Sequence, residues 1–372
     1  MDKQFSLYLD LCRFIAAVVV VLTHLIDFNI LAPQFSYLIP TNGRDAVIVF
    51  FVLSGLVIFY TANKAPITLS EYITARATRI YSVAVPVLLL AVCVDLIGLQ
   101  FNPDNYSGLY QYAKLYIYVP FHLAFLGEIW TLSEQPFTVP PYWSLGYEVW
   151  YYALFALLFF YRGLKRVILF TVLLLAVGYK LWLLFPIWLA GVLLLWLIEN
   201  TTPKQWLSWL LFLAPLVLYP LYKFTETDKV MIALGEQIWP FAQLSLGSAA
   251  KYGSDYLVCV LFFSHLYGAR FVRLNWLMQF QRPITLLASY TFTLYLVHAP
   301  VMKTIEHNMT IDANSISTSL AVLALVAMVT YGLGTLTEQR KHLFKPAVKR
   351  GVLALKQLVL LLRLGPLLRP NR

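Results

Sequence analysis

The chain is cut into long apolar runs, each about as long as a bilayer is thick, and this constrains the fold more than any other feature. About 20 apolar residues carry a helix across the hydrocarbon. Runs of that kind lie near 9–30, 45–62, 80–100, 142–161, 166–183, 184–199, 206–222, 253–269, 284–303 and 316–337. Of 372 residues, 60% are hydrophobic and only 12% charged, too little polar surface for a soluble protein of this size. The expectation is an all-α polytopic membrane protein with about ten transmembrane helices. Cys12, Cys93 and Cys259 each sit inside an apolar run, so no disulfide framework is read. The first run carries Arg13 and His24 and lacks a small-residue cleavage site, so it reads as a span and not a signal peptide.

Charge sets the orientation. From Glu338 to Arg372 there are nine basic residues and one acidic, which accounts for most of the net charge of +10. A nucleic-acid binder would carry its charge on a folded face; here it trails the last span, so no nucleic-acid partner is expected. Positive-inside logic makes this tail cytoplasmic, and Val352–Leu368 could lie along an anionic leaflet, with membrane lipids as partners. The loops placed on the same side hold Lys64, Arg76, Arg79, Arg162, Lys165, Arg166, Lys204, Arg270, Arg273 and Arg282. The opposite loops hold Asp104, Glu128, Glu134, Glu226, Asp228, Glu236 and Asp312. Leu109–Leu126 breaks this scheme if it crosses, so it is read as re-entrant or interfacial, leaving both termini inside. Residues 1–337 form one transmembrane domain without internal repeats, and 338–372 a basic tail.

Ionisable residues inside spans are costly and by default functional. Arg13 and His24 lie eleven residues apart, about 20° past three full turns, so they share a helix face with roughly 16 Å between them. Glu148 follows Ser144 by one turn, with Trp143, Tyr147 and Tyr151 on the adjacent face. Thr291, Tyr295 and His298 form one stripe. Arg76 and Arg79 stand at the inner mouth of the third span, and paired guanidinium groups suit phosphate. The pattern has two poles: an arginine-rich inner pole for a phosphate-bearing donor, and an outer pole of His24 and Glu148 for proton transfer. A donor with a long arm between its phosphates and its reactive group fits that separation; coenzyme A is the obvious candidate.

These residues resemble the acyltransferase 3 family of integral membrane acyltransferases. Leu9-Asp10-Leu11-Cys12-Arg13-Phe14 running to Thr23-His24 is similar to its pattern of Arg, ten residues, His. Gly43-Arg44-Asp45 through Phe50-Phe51-Val52-Leu53-Ser54-Gly55 resembles its Phe-Phe-Val-Leu-Ser-Gly segment. Arg76 to Arg79 with Ile80-Tyr81 is similar to its Arg-x-x-Arg motif, and Trp143-Ser144-Leu145 with Glu148 to its Trp-Ser-Leu-x-x-Glu motif. Ser289-Tyr290 and Tyr295-Leu296-Val297-His298 resemble its late Tyr-Leu-x-His span. One departure concerns the acidic residue many members carry two positions before the Phe pair, where this chain has Ile48; Asp45 is the substitute considered. The sequence also shows no appended hydrolase-like domain of the kind some relatives use to pass the acyl group onward.

The resemblance implies an enzyme of a bacterial cytoplasmic (inner) membrane. It would move an acyl group, most often acetyl from acetyl-coenzyme A, to a hydroxyl of a carbohydrate acceptor on the outer side. No metal is expected. On this reading Arg13, Arg76 and Arg79 bind the coenzyme phosphates, and His24 is the general base. Glu148 orients the other ring nitrogen of His24 or holds a sugar hydroxyl. Trp143 and Tyr147 stack on the sugar, with Asp45, Ser144, Tyr295 and His298 as further acceptor-binding candidates. A covalent acyl-His variant stays open. The competing class is a flippase or exporter of a lipid-linked glycan, using the intramembrane His and Glu as a proton relay.

Overall fold

A computed structural model describes residues 1–106 and 110–361, apart from the side chains of 358–360. All its regular elements are helical: α1 Lys3–Asp27, α2 Gly43–Asn63, α3 Leu69–Phe101, α4 Leu115–Leu123, α5 Tyr142–Phe160, α6 Gly163–Val177 and α7 Tyr179–Asn200. The remainder are α8 Gln205–Phe224, α9 Thr227–Ile238, α10 Tyr252–Phe271, α11 Gln281–Ala288, α12 Thr291–Asn308, α13 Ile316–Leu336 and α14 Lys345–Leu361. Local chemistry fixes several starts. The Asp2 carboxylate accepts the Phe5 N–H at 2.8 Å, and Thr68 with Glu71 closes a capping box at the head of α3.

Six helices (α1, α2, α3, α7, α8 and α13) are long and apolar enough to cross a membrane, and α10 with Asn275–Ala288, bent by 94°, makes a seventh. Helices also occupy the other expected spans, but α6 has only 15 residues, while α5 and α12 are too polar along their length to meet the same measure. The run expected at 166–183 instead breaks at Gly178, whose φ of +87° needs a residue without Cβ. The run expected at 284–303 is divided between α11 and α12. Helix α3, at 33 residues, spans roughly 50 Å and outreaches the hydrocarbon. Of the basic tail, α14 lies in the described residues; 362–372, and with them the end of the expected surface segment Val352–Leu368, lie outside.

Helix α2 forms the middle of the bundle, packed on α1, α5, α7 and α10, and α12 packs on α1, α3 and α13. The α2–α7 approach is close because Gly55 and Gly191 face each other's backbone. A Cβ on Gly55 would collide with the Trp188 carbonyl, and one on Gly191 with the Val52 carbonyl. Gly55→Val is therefore expected to lower stability in detergent by about 2 kcal/mol or more through overpacking. Gly332→Ala, where nothing lies within 4 Å of the added carbon, is expected to be neutral. Thermal unfolding followed by size-exclusion chromatography checks the pair.

The segment expected to be re-entrant or interfacial contains α4, which at nine residues is too short to span a bilayer; Leu109 itself lies outside the described residues. The irregular stretch after α4 is buried at Phe125, Phe137, Thr138 and Val139. Buried backbone must find partners, and side chains supply them. Trp150 Nε1 donates to Phe125 O at 2.9 Å, Tyr142 Oη to His122 O at 3.1 Å, and Gln111 Nε2 to Gln135 O at 2.7 Å. This bracing fixes where α5 begins, and so the depth of Ser144 and Glu148.

Candidate active site

A cavity of about 340 Å³ lies between α1, α2, α3, α5 and α12. Its wall includes Asp10, Arg13, Ser54, Arg79, Glu148 and Tyr295. A second cavity lined by Met1, Lys3, Asp10 and Gln281 shares Asp10 and Thr285 with it, which carries the space toward the start of α1. At that end Arg270, in the last turn of α10, is ion-paired with Asp2.

Three arginines converge there. Arg13 donates to Asp10 at 3.0 Å, one turn away. Arg79 lines the cavity, and Arg76 sits one turn before it on α3. Among the described residues neither the Arg76 nor the Arg79 guanidinium makes a hydrogen bond or ion pair, and both residues are only partly exposed. The carboxylates of Asp10, Glu148 and Glu338 share the cavity wall with Arg79 but none is bonded to it, so its fork of N–H donors is open to a further anion.

Glu148, expected at the outer pole beside His24, lies in this cavity instead. Its carboxylate accepts from Ser54 Oγ at 2.6 Å and from the Tyr152 hydroxyl. Trp188 Nε1 donates to the same Ser54 oxygen at 3.1 Å. Ser144 and Tyr295 also line the cavity, hydroxyl to hydroxyl at 2.6 Å, with Tyr295 donating to Pro141 O at 3.2 Å. Phe50 meets the Tyr295 ring edge-on at 5.4 Å. This layer forms the far end of the cavity.

Immediately beyond it, one turn along α12, is His298, fully buried. Its Nδ1 lies 2.9 Å from Leu294 O, and its Nε2 lies 2.7 Å from His24 Nδ1. A carbonyl only accepts, so His298 Nδ1 carries the proton. In a neutral ring its Nε2 is then the acceptor, and His24 Nδ1 is the donor. The remaining lone pair is on His24 Nε2, which faces the half-exposed Asp27 at 4.0 Å. The His24 ring stacks on Phe28 with centres 4.7 Å apart, while His298 meets its edge through the Nε2–Nδ1 bond, the two ring centres 5.0 Å apart. The side chain bonded to His24 is thus His298, whereas Glu148, expected to orient that ring or hold a sugar hydroxyl, is bonded to Ser54 and Tyr152. Among the described residues no three His, Cys, Asp or Glu converge to hold a metal.

The other candidates separate from the His pair. Asp45 is held by Lys223 at 2.8 Å and Tyr219 at 2.8 Å. Trp143 lies under the Arg44 guanidinium, 4.6 Å from its ring centre, and Arg44 is tied to the buried Asp255 at 2.5 and 3.1 Å. Tyr147, expected to stack on an acceptor, is fully buried against Phe51, so neither of its faces is open to a sugar. Its hydroxyl has no hydrogen-bond partner.

Sequence reasoning passed over Ser54 and Tyr152, although Ser54 stands inside the Phe-Phe-Val-Leu-Ser-Gly segment and Tyr152 follows Glu148 by one turn. It also passed over Glu338, Gln339 and Lys341, which line the cavity from beyond the boundary drawn at 337. Burial holds the Glu338 carboxyl above its ordinary range.

The Acyl_transf_3 model, described as an acyltransferase domain, matches residues 6–337. The exopolysaccharide production protein ExoZ of Rhizobium meliloti (strain 1021) is 33% identical over 118 residues, 31% of this chain. That match spans 34%, about a third, of the relative's length. No solved structure matches the chain. The family match covers the His pair and all of the cavity wall except Glu338, Gln339 and Lys341, and the chain belongs to the acyltransferase 3 family as a membrane-embedded acyltransferase-type enzyme.

Proposed function

We propose that the chain transfers an acyl group, in the first instance acetyl, from cytoplasmic acyl-coenzyme A to a carbohydrate hydroxyl on the opposite side of an inner membrane. The observation that carries this is the cavity itself: it runs from near the start of α1, holds Arg79, whose guanidinium makes no hydrogen bond among the described residues, with Arg76 one turn before it, and ends one turn from the His24–His298 pair. The phosphates meet Arg13, Arg76 and Arg79. The arm runs past Glu148 and Ser54, whose oxygens accept from its amide N–H groups, and the thioester reaches the Tyr295–Ser144 layer. That layer must part for the carbonyl to reach His24. His24 Nε2 then takes the proton of the acceptor hydroxyl as its oxygen attacks the thioester carbon. The C–S bond breaks, and the same proton passes to the departing thiolate. Positive-inside logic places both ends of the bundle's basic side in the cytoplasm.

His298 is a positioning residue on this account. His298→Ala is expected to lower kcat about 100-fold, since the His24 tautomer is no longer set. His298→Gln, whose side-chain carbonyl can still accept from His24 Nδ1, is expected to recover part of the loss. Coenzyme A release from acetyl-coenzyme A, by purified protein in lipid nanodiscs with a glycan fraction from the producing cell, measures both. Absence of release together with absence of donor binding would instead favour glycan transport.

A further inference from the structure

The segment just past α13 belongs to the cavity wall. Glu338 accepts the backbone N–H and the hydroxyl of Thr293 at 2.9 and 2.8 Å, which caps the first turn of α12. Gln339 Nε2 donates to the Ser289 carbonyl at 2.9 Å and the Ser289 hydroxyl at 2.6 Å. These four bonds pin residues 338–339 against the α11–α12 turn. Two positions later, Lys341 lines the same cavity as Arg13 and Arg79. It is exposed, and among the described residues its ammonium makes no hydrogen bond or ion pair.

The acidic wall residues do not claim it. Asp10 is taken by Arg13, and Glu338 is committed to Thr293. Lys341 is therefore, with Arg79, a second cation of this wall without a hydrogen-bonded or ion-paired side chain among the described residues, and it stands at the solvent-facing rim, whereas Tyr295 closes the buried end. An extended donor with its reactive group at Tyr295 and its inner phosphates at Arg79 would bring its outermost anionic group to the rim.

We infer that Lys341 binds the terminal phosphate of a nucleotide-bearing acyl donor, so that the segment after the family domain sets donor specificity; this rests on the acyl-transfer reading above. Lys contributes here as a compact point charge on a flexible stem, suited to a rim position. The test compares acetyl-coenzyme A with acetyl-3′-dephospho-coenzyme A in one preparation, so the fraction of folded protein cancels in the ratio. Lys341→Ala is expected to raise KM for acetyl-coenzyme A about fivefold with kcat unchanged, the size of one exposed ion pair. KM for the dephospho donor should move less than twofold, and Lys341→Arg should restore the wild-type preference. Equal changes for the two donors, or none for either, would overturn the inference while leaving acyl transfer standing. A wild type inert toward both donors would overturn acyl transfer itself, and this inference with it.

Discussion

His24→Ala is expected to lower acyl transfer about a thousandfold while leaving donor affinity within twofold, the span typical of removing a positioned general base. The reasoning is geometric. The only proton acceptor on the His24–His298 pair is His24 Nε2, because His298 Nδ1 is bound to Leu294 O and the 2.7 Å bond between the rings uses the other two nitrogens. The imidazole is outside the donor cavity, beyond Tyr295, so its loss removes no contact to the phosphates or to the arm. Single-turnover kinetics beside equilibrium binding of coenzyme A separates the two quantities. An equal loss in donor affinity would place His24 in the binding site instead.

Arg79→Ala is expected to have the opposite signature, with donor KM raised about 10- to 100-fold, as for losing a charge-assisted hydrogen bond worth roughly 1.5–3 kcal/mol. Arg79 is only partly exposed and its guanidinium makes no hydrogen bond or ion pair among the described residues, so its interaction with phosphate is little screened by water. Arg79→Lys should recover only part of the loss, since a point charge cannot engage two phosphate oxygens in the fork geometry. Arg13→Ala should cost less, because Arg13 already shares its charge with Asp10 at 3.0 Å.

Much of this arrangement could be read along single helices. The eleven-residue interval puts Arg13 and His24 on one face of α1, and the structure keeps both on one continuous helix. Arg76 and Arg79, one turn apart, likewise share α3. What periodicity cannot tell is which neighbour meets that face. Glu148 and His298 both looked like partners for His24, and only packing decides: α12 lies on α1, while Glu148 on α5 turns to Ser54 of α2. Aromatic residues at helical spacing were equally undecided, and Tyr147 is buried in the core. The break at Gly178 and the divided α11–α12 run were hidden because apolar composition continues through both. The contribution of Glu338 to Lys341 was hidden for another reason. A run of charge after the last span reads as solvated tail, and only the bonds to Thr293 and Ser289 reveal that it folds back.

The account stands or falls on the acyl group crossing between two ends of one bundle, and sidedness tests that most directly. The protein would be reconstituted in sealed liposomes with the basic end facing outward. Acetyl-labelled acetyl-coenzyme A would be supplied outside and a glycan fraction from the producing cell enclosed. Label appearing in the enclosed glycan, and lost in His24→Ala and Arg79→Ala vesicles, is the expected result. Label appearing only in glycan on the donor's side of the membrane would contradict it.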